Sequence, residues 1–400
     1  MHKTNFARIH KTNLAMKKKL TMLSLLGGFA ILLAGAIILS SCEGPEGPMG
    51  PGGTDGIDGT DGTDGVDGNV TCLVCHSAEN MEAIASEFAA SQHASGSIAV
   101  AYAGGRSSCA QCHSHEGFLE FARTGDVANN FTNPSPWECS TCHDLHADFD
   151  VGDYAFRDGD AVTLVADDQV TLDEGNNNTC INCHQSRRLV TGYDNVIKDT
   201  TYNRKFTEDD IDVYMTAAFG PGGSATLDGD TLRVAFVVPW ATHAYISSTH
   251  AGPHHGPQAN LWAGQAAGVV DGTPYAAHAD GCVACHMGPE SGHTFTPEAA
   301  TCIACHNDQT DKSTEMDAIA VRLEAIALAL EAKHAVHIDE DWETGDDLFG
   351  AVHPVYASLE RADFNAWWDF TLIMEDRSFS THNPTYVKAL LTGIETALAR

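Results

Sequence analysis

Twelve of the chain's thirteen cysteines stand in six C-x-x-C-H pentads. The cysteine pairs are Cys72 and Cys75, Cys109 and Cys112, Cys139 and Cys142, Cys180 and Cys183, Cys282 and Cys285, and Cys302 and Cys305. Each pentad closes on a histidine: His76, His113, His143, His184, His286 and His306. Cysteines three apart on one helical turn face the same way, so both thiols can bond the two vinyl groups of one haem. The histidine that follows is placed to put its imidazole on the iron. Structural zinc also uses C-x-x-C pairs. Zinc does not demand a histidine after every second cysteine, and such adjacent side chains could hardly share one tetrahedral ion. The expectation is six covalent haems c, each holding iron through a proximal histidine.

The thirteenth cysteine, Cys42, ends the run Leu39-Ser40-Ser41-Cys42 after an apolar stretch from Leu20. Small residues before such a cysteine form a lipobox, whose cysteine takes the lipid and becomes the mature N-terminus. Met16 is read as the true start, with Lys17 to Lys19 as the basic leader and residues 1–41 as a removable signal peptide. An uncleaved membrane helix is the alternative, since about twenty apolar residues span a bilayer. Either way everything after residue 42 lies outside the cytoplasm, where c-type haem is attached. Then comes a glycine at every third position from Gly44 to Gly68. That is the collagen signature, and a triple helix would make the protein a homotrimer. The prolines stop after Pro51, however, and Asp55, Asp58, Asp61, Asp64 and Asp67 would stack like charges across three chains. A flexible single-chain stalk within residues 42–70, whose Gly-x-y repeat from Gly44 to Gly68 would reach roughly 75 Å when extended, is the preferred reading.

The 400 residues carry 22 basic and 54 acidic side chains, a net charge of −32. Six of the basic residues and none of the acidic ones precede Cys42, so the remainder carries −38. Such a surface repels phosphate backbones and excludes nucleic acid as a partner. It favours a redox partner with a basic docking patch.

The first four pentads start 37, 30 and 41 residues apart, and the last two only 20 apart. So little protein between macrocycles predicts that the haems form much of the core of residues 71–312. Met81 to His93 reads as a short amphipathic helix, Ala161 to Leu172 as β-rich, and Leu232 to Val238 as a strand. A His-rich stretch follows from His243 to His255. The region 313–400 changes character: Ala318 to Lys333 places Ile319, Leu323, Ile326 and Leu330 on one helical face. Further helices are expected over Leu359 to Met374 and from Pro384, at a first helical position, to Leu398. The fold class is mainly α with extensive loops and a few short β-strands, closed by a C-terminal helical bundle.

Over residues 72–306 the chain resembles the multihaem c-type cytochromes. Cys139-Ser-Thr-Cys142-His143-Asp-Leu-His146 has the C-x-x-C-H-x-x-H form with which those proteins ligate a neighbouring haem. His278, four residues before Cys282, and His293, nine before Cys302, occupy positions where the family keeps distal ligands. The segment Ser380-Thr-His382-Asn383-Pro384-Thr-Tyr386 resembles the end of the multihaem nitrite reductase and hydroxylamine oxidoreductase family, where such a histidine can supply a distal ligand. The C-x-x-C-K motif of the nitrite reductases is missing. Apart from His2, His10 and the pentads, thirteen of the 21 histidines remain, ample for bis-histidine ligation. The distal candidates are His93, His115, His146, His254 or His255, His278, His293 and His382, with His243 and His250 behind them. His334 and His337 are read as exposed on a helix, and Met287 would face away from its iron.

These features point to an electron carrier. It would pass electrons through six mostly bis-histidine haems between a membrane or periplasmic partner and an acceptor or donor outside, anchored by lipid in a bacterial cell envelope. Two alternatives stay open. One is an oxidoreductase acting on a small nitrogen or sulfur compound at one open haem, with Arg187, Arg188 and Lys198 as cationic groups unless the arginines pair with haem propionates. The other is a subunit of a conductive filament.

Overall fold

The computed structural model describes residues 76–400 apart from 147–154, 158, 191–199, 206–217, 221, 230, 237, 240, 247–250, 255, 266, 271, 275–280, 289–291, 304–305, 307–308, 340–341 and 344–347. The leader, Cys42, the Gly-x-y tract, Cys72, Cys75, Cys305, Lys198, His250, His255 and His278 lie outside the described residues. The described residues all lie within one compact unit.

Helix α1 (Ala78–Ala90) stops where Ser91 turns extended, at φ −79° and ψ 158°. The Ser91 hydroxyl then caps a new turn, α2 (Gln92–Ser95), by accepting from Ala94 N at 3.2 Å. One helix through His93 was expected. The competing cap breaks it, which sets His93 on a separate turn. Helices α3 (Ser107–His113) and α4 (His115–Thr124) are divided the same way, by Ser114 accepting from Gly117 N at 3.1 Å. Gly117 is required there, because a Cβ would collide with the Ala110 carbonyl. The third pentad opens α5 (Cys139–Cys142), held by a capping box between Glu138 and Thr141.

The β-rich segment is a hairpin of β1 (Val162–Leu164) and β2 (Asp167–Leu172), with Val162 opposite Leu172. It packs on α6 (Asn178–Ile181), which carries the fourth pentad's first cysteine. Strands β3 (Thr200–Lys205), β4 (Ser224–Asp228) and β5 (Thr231–Phe236) form an antiparallel sheet in the order β3-β5-β4. The His-rich stretch opens as β6 (His243–Ile246), followed by α7 (Gln258–Trp262). Helices α8 (Gly281–His286) and α9 (Ala299–Ile303) bear the fifth and sixth pentads.

Beyond them run α10 (Gln309–Ala332), β7 (Val336–Ile338), β8 (Val352–Pro354), β9 (Ala357–Glu360), α11 (Arg361–Asp376) and α12 (Pro384–Leu398). The last helix starts as expected: Pro384 takes the first position and Asn383 caps it by accepting from Tyr386 N at 3.1 Å. Helix α10 starts nine residues earlier than its apolar stripe announced. Helix α11 starts two residues later than expected, because residues 357–360 are drawn into pairing with β6. His334 has φ 56° and ends α10, so His337 lies in β7 rather than on a helix.

One apolar core unites α10, α11 and α12 with β6 and α7, through Ile246, Leu261, Leu323, Trp367, Trp368 and Leu390. Trp367 and Trp368 are fully buried. Each such side chain contributes about 2–3 kcal/mol of burial. The fold is mainly α with long loops, and its described strands are short and antiparallel. This C-terminal core includes Leu261 of α7 and runs along α11 to Met374, two residues before the buried Asp376.

Candidate haem sites

Among the described residues, five pentad histidines each face a histidine from outside the pentads. The ring centroids are 5.9 Å apart for His76 and His146, 5.8 Å for His113 and His254, and 6.3 Å for His143 and His293. They are 6.1 Å apart for His184 and His93, and 6.3 Å for His286 and His382. Two imidazoles on opposite sides of one metal, at about 2 Å per bond, place their centroids roughly 6 Å apart. The residues therefore fit a haem iron held between each pair.

Local chemistry orients these rings. His286 Nδ1 donates to the Phe295 carbonyl at 2.9 Å, and His184 Nδ1 donates to Gln258 Oε1 at 3.2 Å. His382 Nδ1 donates to Asp376 Oδ1 at 2.6 Å. Holding Nδ1 in this way leaves Nε2 to face the metal. Burial pushes His93 down to about 4, helped by His184 and His286. Burial likewise lowers His184, His286 and His293, and so favours the neutral rings that ligate iron. At His382 burial also favours the neutral ring, but Asp376 outweighs it and raises the pKa.

Two distal candidates adopt left-handed backbone, His146 at φ 62° and His254 at φ 78°. Non-glycine residues hold such angles at a cost of about 1–3 kcal/mol when the surroundings demand it. Gly292, at φ 49°, precedes His293, and a Cβ there would collide with the Glu87 carboxylate. That close approach lets Glu87 accept from His293 N at 3.0 Å, tying α1 to the His293 turn.

The pentads also meet one another. Cys112 Sγ reaches the Asn182 carbonyl at 3.6 Å, and Cys183 Sγ reaches the Gln111 carbonyl at 3.7 Å, joining pentads two and four. Asn177 Oδ1 accepts from Val283 N at 2.9 Å and joins pentads four and five. Arg157 bonds the Ser140 and His143 carbonyls, while its own carbonyl accepts from Thr179 at 2.8 Å, joining pentads three and four. The Phe295 ring lies 4.8 Å from His93 and 6.1 Å from His293, and its carbonyl holds His286. Three of the paired sites thus converge on one phenylalanine.

His115 stands apart from the paired candidates. It opens α4, its Nδ1 hydrogen-bonds Thr141 Oγ1 at 2.7 Å, and its Nε2 lies 3.9 Å from Glu138. His243 bonds Thr242 through Nδ1 at 2.8 Å. Arg187, although it follows pentad four, reaches back to pentad two, with Nη2 donating to the Ser108 carbonyl at 3.3 Å. The Arg188 carbonyl accepts from Ser186 Oγ at 2.6 Å. Gln258, Phe295, Asp376, Glu87 and Arg157 were not singled out from the sequence, because nothing in their local spacing marks them. None of the nine described cysteines is paired in a disulfide. No described helix is long and apolar enough to cross a membrane.

No family model matches the chain. No curated protein matches it either. Among solved structures it is similar to the outer cell wall cytochrome OcwA, with 18% identity and a TM-score of 0.44, over 78% of this chain. The match spans 49% of that protein, about half its length.

Proposed function

We propose that the chain is a six-haem c-type electron carrier. The observation that carries this is the set of five pentad histidines, each facing a second histidine at 5.8–6.3 Å. Haem, when bound, supplies one-electron chemistry at iron. The protein's part would be to attach, orient and insulate it: the pentad cysteines would hold the group, the paired histidines would ligate its iron, and Gln258, Phe295 and Asp376 orient His184, His286 and His382. With two protein ligands on each iron, those five sites would leave no room for a substrate. This favours electron transfer over conversion of a small nitrogen or sulfur compound. Bis-histidine ligation without methionine, within an acidic protein, favours low reduction potentials.

The anchor, stalk and partner belong to the same proposal. Lipid on Cys42 would hold the chain at a bacterial envelope membrane, residues 42–70 would stand the haem region off it, and the partner would present a basic patch. Intact mass after acid-acetone extraction tests the haem content. Six retained haem increments are expected, and four or fewer would remove the later pentads from the set.

A further inference from the structure

The three rings with a fixed Nδ1 are not equivalent. His184 and His286 donate to neutral carbonyl oxygens, of Gln258 and Phe295. His382 donates to a carboxylate, Asp376, whose side chain is wholly buried. Asp376 is itself held from several sides. Ser378 N donates to its Oδ2 at 3.3 Å, and the Ser378 hydroxyl donates to the same oxygen. The Ser378 hydroxyl also accepts from His382 N at 3.3 Å, closing a loop between carboxylate and imidazole. Gln258 Nε2 donates to the Asp376 carbonyl at 3.3 Å while its Oε1 accepts from His184. The connecting segment has left-handed backbone at Arg377 (φ 58°), Phe379 (φ 50°) and Ser380 (φ 109°), a strained run that side chains of these types rarely adopt.

A carboxylate that accepts Nδ1–H draws the proton toward itself, and Nε2 becomes a stronger donor to a metal than in a ring bonded to a carbonyl. A stronger axial donor stabilises ferric iron over ferrous and lowers the reduction potential. The low dielectric around a buried carboxylate strengthens the effect. We propose that Asp376 is a positioning residue that acts through His382 to set the fifth-pentad haem at the low-potential end of the array. This rests on the haem reading above. The site would be the last to accept an electron and the first to pass one on, with Gln258 linking it to the fourth-pentad site.

The test is a spectroelectrochemical titration of the full haem-loaded protein. Asp376→Asn keeps the shape and removes the charge. One haem of the six should become easier to reduce by about tenfold, which is 59 mV for a one-electron couple. That haem should be the last to reduce in the parent. Asp376→Glu should restore most of the shift. Ser378→Ala strips a competing donor from the same carboxylate, so that haem's potential should move the opposite way from Asp376→Asn, whereas a purely structural role for the cluster would move both alike. Near-infrared magnetic circular dichroism of the unmutated ferric protein gives a check that does not depend on a variant folding. One low-spin haem should show its charge-transfer band at higher energy than the rest. Six unchanged midpoints in Asp376→Asn, a shift in a haem that reduces early, or identical bands in the parent would overturn the inference. His382→Ala separates the two levels. A gain of one high-spin haem there, with no shift in Asp376→Asn, removes the Asp376 role alone, whereas no gain removes His382 as a ligand.

Discussion

A pentad histidine can be found from five letters of sequence, but its partner cannot. Cysteines and proximal histidine are contiguous because one helical turn must present them to one ring edge. The distal side has no such constraint: His143 meets His293 and His113 meets His254, each across well over a hundred residues. The sequence supplied a pool of candidates and left their matching to the tertiary fold. His93 and His115 both stood in that pool. The Ser91 cap turns His93 toward His184, while His115 is taken up by Thr141. The expected contrast is direct. His93→Ala should convert one low-spin ferric haem to high-spin and let it bind cyanide, and His115→Ala should leave the haem spectrum as it was. Loss of a Thr141 hydrogen bond costs about 1 kcal/mol of stability and no ligand. A high-spin signal from His115→Ala would reassign that histidine.

Helices were legible where an apolar stripe runs their length, as in α12, and less so where a cap or strand pairing intervenes. The pairing of β6 with β9 joins residues 243–246 to 357–360, and no local pattern announces it. Asp369 is another such surprise, a carboxyl on α11 that is fully buried and accepts from Gly268 N and Val269 N, the latter at 2.8 Å. Burial pushes it up to about 7, against the pull of those two bonds. Its folded pKa lies above the unfolded value near 4, so the native state holds the proton more tightly. The stability it contributes is full below about pH 4 and is lost as pH rises through about 7. The span is on the order of 4 kcal/mol. Asp369→Asn should flatten this part of the thermal-stability profile between about pH 4 and 7. An unaltered profile in the variant would assign the pH dependence to other groups.

At the scale of the whole molecule, composition spoke early and in general terms. A charge of −38 beyond residue 41 is what the proposal of a basic redox partner rests on. Association with a redox partner should slow steeply as salt rises to physiological strength, where the screening length falls to about 8 Å. A rate indifferent to salt would make the acidity a matter of solubility. The helical region that follows the pentads was legible from the apolar face of α10 and from Pro384 at the start of α12. His382 was legible as this region's link to the pentads; what could not be read was Asp376, the buried carboxylate that holds its ring. Low-temperature electron paramagnetic resonance of the ferric, fully haem-loaded protein, integrated against haem content, tests the central claim most directly. Five or more low-spin haems in six are expected, since five pentad histidines face a second imidazole. Two or more high-spin haems in six would contradict it.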